Sequence, residues 1–261
     1  MNQILVTEKL YITPELKRKK KVYKIYFIIS IFVVLILTSF YIYAEYDRNK
    51  NAAVSQQLLD DMNETLAETK EDTTIAKDDI LLVVLNGSIE DTVQEENITT
   101  SKNEKTSLAD ANEQAEWKTN SAGYKYKIIS TVEIPKINVK YTVLQGETGS
   151  LEETESLLKS SPVKYHGYDP NEVGNFCIVG HNYRNSKFFS KVPNLVVGDM
   201  VKLTDLTGRT INYEVYDKHT VEPDDTRDTT QLTGGRKELT LITCTNDSKL
   251  RVIVRCKEIK D

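Results

Sequence analysis

Cysteine is scarce in this chain. Three occur among 261 residues, Cys177, Cys244 and Cys256. A small, odd number argues against a disulfide framework and leaves at least one thiol unpaired outside a reducing compartment. The chain also lacks a basic surface suited to nucleic acid, because its one dense basic run, KRKKK (17–21) with Lys24, adjoins an apolar span. No internal repeat is visible, and no second long apolar run follows the first. Hydrophobic residues make up 39%, low for a chain that packs throughout. Part of it is therefore expected to stay out of any core.

What is present falls into regions of different charge. Residues 1–24 carry seven Lys/Arg against two acids, residues 45–123 seven against 18, and residues 124–261 twenty against 19. Between the first two lies IYFIISIFVVLILTSFYIYA (25–44), twenty residues without a charge. As a helix this covers about 30 Å, the thickness of a bilayer core. A cleaved signal peptide has a shorter apolar region and a small-residue cleavage site, which YIYAEY does not supply. The expectation is a retained single-pass anchor with 1–24 as a basic cytoplasmic tail and everything after residue 44 outside the plasma membrane.

Residues 45–123 read as an acidic stalk. Within it, NAAVSQQLLDDMNETLAETK (51–70) has Val54, Leu58, Leu59, Met62 and Leu66 on one helical stripe. That stripe suits packing on the main domain, pairing with another chain, or no partner at all. Residues 71–123 fit a solvated linker, apart from ILLVVL (80–85) before Asn86-Gly87, an apolar run expected to be covered.

From Tyr124 to Asp261 short segments rich in Val, Ile, Thr and Tyr alternate with turn-like GETG, DPNEVGN, LTGR and LTGGR. The pattern predicts an all-β domain of seven or eight strands, closed or nearly closed into a barrel. One short helix is expected at 151–161, with Leu151, Leu157 and Leu158 as its apolar side. Asp169-Pro170-Asn171 reads as a turn.

A nucleophilic thiol needs a proton partner and a stabiliser for the oxyanion it creates. Cys244 ends the apolar strand ELTLITC. His181 follows the strand NFCIVG, where the chain leaves the sheet. Arg251 opens the last strand, which returns from Cys244 after the turn TNDSK. Strand ends opening at one rim bring thiol, imidazole and guanidinium together. Arg255, four residues on, lies on the same face but about 13 Å away. Cys177 and Cys256 fit buried thiols, and His166 and His219 fit exposed or locally bonded side chains.

These pieces resemble the sortases, cysteine transpeptidases of Gram-positive cell surfaces. TLITC (240–244) is similar to the family's TLxTC motif, GNFCIVGHN (174–182) to the stretch ending in its histidine, LRVIV to the strand carrying its arginine, and VEIPKINVKYTVLQG (132–146) to its early strand pair. The likeness covers about residues 125–261. It implies an eight-stranded sortase-like β-barrel with one or two short helices. It also implies a catalytic set of His181, Cys244 and Arg251. Acids of a metal site cannot be placed in the sequence, so no metal and no cofactor are expected. The implied reaction cleaves an LPxTG-type C-terminal sorting signal through a Cys244 thioester. The protein is then passed to an amine of peptidoglycan or of another surface protein. The loop from about Asp217 to Lys237, with its acidic EPDD (222–225), is expected to help choose the substrate. Subclass stays open among class A, B and D-like readings. Two alternatives remain at this point: a cysteine peptidase releasing its product to water, and a non-catalytic surface module.

Overall fold

The computed structural model describes residues 14–80 and 107–260. The chain divides into two compact units after Lys50. Of the apolar run 80–85, expected to be covered, all but Ile80 lies outside the described residues.

Helix α1 spans Pro14–Ile80. In the first unit its side chains from Ile25 to Phe40 are largely exposed, and the helix is long and apolar enough to cross a membrane. In the second unit the same helix turns amphipathic. Ser55, Leu58, Leu59 and Met62 are buried, the i, i+3, i+4, i+7 spacing of one helical face. Leu58 packs with Tyr126, Leu144, Leu157, Leu158 and Val163, and Asp61 holds Lys118 at 2.7 Å. The stripe therefore packs on the main domain, one of the three fates its sequence allows.

Ahead of Tyr124 two more elements join this unit. Helix α2 (Leu108–Gln114) begins with a capping box, Ser107 and Asp110 each bonding the other's backbone, which satisfies two otherwise orphaned N–H groups. Strand β1 (Lys118–Thr119) pairs with β2 (Lys125–Ile134). Lys127 of β2 reaches the Asn112 carbonyl and lies over the Trp117 ring, 5.2 Å from its centre.

The remaining strands are β3 (Val139–Gly146), β4 (Val163–His166), β5 (Gly174–Val179), β6 (Met200–Asp205), β7 (Thr210–Val221), β8 (Lys237–Cys244) and β9 (Arg251–Glu258). Their order is β2-β3-β4-β5-β8-β9-β7-β6, and β6 returns to pair with β2. Eight strands thus close a barrel, which removes the open edges that invite association. Alternate residues fill the interior, among them Phe176, Ile178, Leu239, Leu241, Val252 and Val254. A bulge between Ile128 and Ser130 shifts the β2 register. Ile128 thereby faces the outer cluster with Leu144, while Ile129 faces the interior.

β4 was not among the expected strands. It has four residues, only Val163 of them buried, so it shows no alternation long enough to read. Helix α3 is Leu151–Leu157, capped by Ser150. Leu157 and Leu158 are buried as expected, but Leu151 is 70% exposed. Six residues separate Leu151 from Leu157, roughly 120° off its face in a helix of 3.6 residues per turn. Asp169-Pro170-Asn171 does form a turn. Asn171 is left-handed at φ 63° and fully buried, a conformation asparagine tolerates. Its amide bonds the Leu203 and Arg209 carbonyls and Asp205.

Because Leu58 seals an outer cluster of the barrel domain, Leu58→Ala is expected to lower unfolding stability by about 2–4 kcal/mol. Gln57→Ala, on the exposed side, is expected to change it by less than about 0.5 kcal/mol. Denaturant unfolding of the 51–261 fragment checks both.

Candidate active site

β5 and β8 run parallel, in register from Gly174↔Lys237 to Val179↔Ile242. Their C-terminal ends therefore reach the same rim. The pairing continues beyond the last strand residue: the Gly180 N–H donates to the Ile242 carbonyl at 3.0 Å, and the Thr243 hydroxyl donates to the Gly180 carbonyl at 2.8 Å. His181 is the next residue on one strand and Cys244 on the other. β9 is antiparallel to β8, and its first pair is Cys244↔Arg251. In a pleated sheet cross-strand partners project to the same face, so Cys244 and Arg251 share the outer face at the rim. The three predicted residues are thus brought to one place by strand register.

The segment after His181 is folded back on itself. The Phe189 N–H donates to the His181 carbonyl, and Asn182 bridges to Phe188. Gly180 permits this: a Cβ there would meet the Phe189 ring at 2.5 Å, closer than real carbon contacts allow. Arg184 and Phe188 both have positive φ, 57° and 50°, an unusual choice for side-chain-bearing residues. Contacts hold them there. The Phe188 N–H donates to the Tyr141 hydroxyl at 2.9 Å, and the two rings stack 5.0 Å apart. Tyr183 meets Phe188 edge-on and lies 4.9 Å from the His181 ring. A chain of rings therefore runs from β3 to the imidazole.

Asn182 ties the two halves together. Its amide donates to the Cys244 carbonyl at 2.9 Å and to the Asn246 side chain at 3.1 Å, while Arg184 bonds Ser248. The β8–β9 turn is closed internally by Thr245, whose hydroxyl reaches Asp247 and whose backbone pairs with Leu250. The Arg251 guanidinium makes one long contact, 3.5 Å to the Leu250 carbonyl, at the limit of a useful hydrogen bond.

Sequence reasoning did not find Asn182, Thr243, Tyr183 or Phe188. Thr243 sits inside TLITC and Asn182 inside GHN, so position marked them, but their roles depend on a contact between distant strands. The aromatic residues of YRNSKFF carry no such mark.

Burial pulls the His181 imidazole below its ordinary value; Glu155 of α3 opposes this and Lys159, just beyond it, reinforces it. The neutral ring is favoured, so it stands ready to accept a proton near neutrality. Burial also pushes the Cys177 thiol up to about 12 and the Cys256 thiol upward as well. Both are fully buried, whereas Cys244 is partly exposed. Among the described residues no group of three or more His, Cys, Asp or Glu side chains is placed to hold a metal ion.

A model of the Sortase domain matches residues 132–259, from β2 to the end of β9. The chain belongs to the sortase family. It is a sortase-type cysteine transpeptidase on a sortase β-barrel. Among solved structures it is 33% identical to the sortase D5 transpeptidase of Clostridium perfringens, over 51% of this chain and 80% of that one, with a TM-score of 0.45. It is 29% identical to sortase C1 of Streptococcus agalactiae, over 51% and 67%, TM-score 0.44. To a lid mutant of sortase A from Corynebacterium diphtheriae it is 23% identical, over 59% and 77%, TM-score 0.45. A comparison with curated proteins finds no match.

The opposed influences on His181 give a test of this geometry. Lys159→Gln is expected to raise the ring's titration midpoint and Glu155→Gln to lower it, with the wild-type midpoint below the ordinary ~6.5 of histidine. Imidazole nitrogen NMR across pH 4–9 reads all three.

Proposed function

We propose that this sortase is a membrane-anchored enzyme that cleaves an LPxTG-type sorting signal and transfers the protein to an amine. Cys244 is the nucleophile, His181 the proton carrier and Arg251 the oxyanion partner. The observation that carries the residue roles is the register: Cys244 faces Arg251 across β8 and β9, and His181 lies two residues past the end of β5, on the other side of β8.

In the first step the Cys244 Sγ bonds to the threonine carbonyl carbon, and the guanidinium of Arg251 donates to the oxygen as it becomes negative. His181, neutral beforehand, takes the thiol proton as the sulfur attacks and gives it to the departing glycine nitrogen as the peptide bond breaks. A thioester on Cys244 remains. In the second step an amine adds to that carbonyl and its proton passes to His181. The carbon–sulfur bond then breaks, and the new amide leaves.

The length of the outer face supports a short extended peptide. From the Cys244/Arg251 pair to the Thr240/Arg255 pair is four strand residues, about 13 Å. Four extended peptide residues ending at the scissile bond span the same length. Cys177, Ile242 and Ile253 form a buried apolar strip beneath this face, with the half-buried Val179 and Val221 beside it. The 222–236 segment leaves β7 next to Arg251, since Val221 pairs with it, and so borders the strip. It is the proposed selector of substrate.

The apolar part of α1 is the proposed anchor, at 25–44. The basic run before it supports a cytoplasmic 1–24 and a barrel on the outer face of the plasma membrane. The acceptor amine belongs to peptidoglycan or to another surface protein.

Cys244→Ala is expected to abolish cleavage of LPxTG-type peptides without unfolding the barrel. Arg251→Ala is expected to cut kcat by about 10²–10³, and Arg251→Lys by less. Mass spectrometry of wild-type protein with a peptide library should find an acyl adduct on Cys244, released by added amine as the amide. Cleavage that survives Cys244→Ala would refute the assignment.

A further inference from the structure

His219 lies outside the catalytic set, yet it joins two parts of the proposed peptide site. It projects from β7, with Asp217 two residues before it on the same face. Its Nδ1 lies 2.9 Å from an Asp217 carboxylate oxygen, and its Nε2 2.9 Å from a carboxylate oxygen of Asp228. Asp228 belongs to a single 3-10 turn, Arg227–Thr229, inside the 222–236 segment.

That turn is where the segment crosses the barrel face. The Asp228 carbonyl accepts from the Asn175 amide of β5 at 2.7 Å, and Gln231 bonds both the Asn175 N–H and its carbonyl. Thr240 of β8 donates to the Asn175 side chain. The segment therefore runs from β7 to β5 across β9 and β8, at the level of Thr240, four residues below Cys244. It closes the far end of the apolar strip.

We propose that His219 is a positioning residue for this segment: bridging Asp217 and Asp228, the imidazolium clasps the segment to β7 and sets the wall against which the sorting peptide lies. The inference rests on the reading of this face as the peptide site.

Only the protonated ring can donate from both nitrogens at once. A neutral ring donates to one carboxylate and turns a lone pair toward the other. The charged surroundings favour the cation. Asp217 on β7 and Asp228 and Asp225 in the segment are negative. Arg255 of β9, 3.8 Å from Asp228, is engaged at 2.9 Å by Glu238 of β8. Arg227 is engaged by Asp225. Burial alone would lower the His219 value, but the Asp228 and Asp217 carboxylates outweigh it and raise it. A raised value in the folded state means that the clasp is fully made below the ordinary ~6.5 of histidine and is lost as pH rises through the folded value.

The test measures KM and kcat for a sorting peptide with the full chain between pH 5.5 and 9. At pH 6, His219→Ala is expected to raise KM roughly fivefold, the scale of one charge-assisted bond at a partly exposed site, while kcat changes less than about twofold. The ratio of mutant to wild-type KM should then shrink toward one at high pH, where the wild type has lost its own clasp. Taking the ratio cancels any pH effect on Cys244 and His181. His219→Gln, which can donate to only one carboxylate, should give an intermediate KM at pH 6. In Cys244→Ala protein, amide resonances of 222–236 should shift with the same midpoint as the His219 ring. An unchanged KM in His219→Ala, a ratio independent of pH, or segment resonances indifferent to the His219 titration would overturn the proposal. If wild type turns over no sorting peptide while the resonances follow His219, the clasp stands and the peptide reading fails.

Discussion

The parallel pairing of β5 with β8 is the constraint on which the site depends. In an antiparallel pair, the two strand ends would lie at opposite rims. Parallel strands put the residue after Val179 and the residue after Ile242 side by side, and two further hydrogen bonds at Gly180 prolong the alignment up to His181 and Cys244. The third participant then follows from a short reversal, because a tight turn after Cys244 makes Arg251 its antiparallel partner. No loop has to search for its place. The barrel supplies rigidity from below through alternate Leu, Val, Ile and Phe residues, and a rigid support is what a reaction sensitive to sub-ångström misplacement requires.

Two histidines of the domain show how environment sets their behaviour. His181 is sheltered by an aromatic neighbour and sits between charges of opposite sign in and beside α3, so burial dominates and the ring is kept neutral. His219 stands between two carboxylates, so the same desolvation is overcome and the charged ring is favoured. One ring suits moving a proton, the other suits holding parts together.

Much of this was legible in the residues. Strand alternation announced the barrel, the motif TLITC and the dipeptide Gly180-His181 marked the site, and the 51–70 stripe announced a helix with a face to bury. What could not be read depends on long-range contact. β4 is too short and too exposed to show a period. The inward face of Leu151 failed because seven residues of helix cannot carry three leucines at that spacing. Asn182 and the Tyr141–Phe188–Tyr183 series acquire meaning only when segments some 40 to 60 positions apart in sequence are neighbours in space. The elements ahead of Tyr124 were hidden for a related reason: α2 and β1 are brief and polar, and their partners lie in distant segments.

The three thiols are not chemically equivalent. Cys177 and Cys256 face closed surroundings that strongly disfavour a negative sulfur, and they present no surface to solvent. Electrophiles react with thiolate, and only where they can reach it. A maleimide or iodoacetamide added to the folded barrel is thus directed to a single atom, so the protein carries its own built-in titrant for counting folded molecules, with no cysteine needing replacement beforehand.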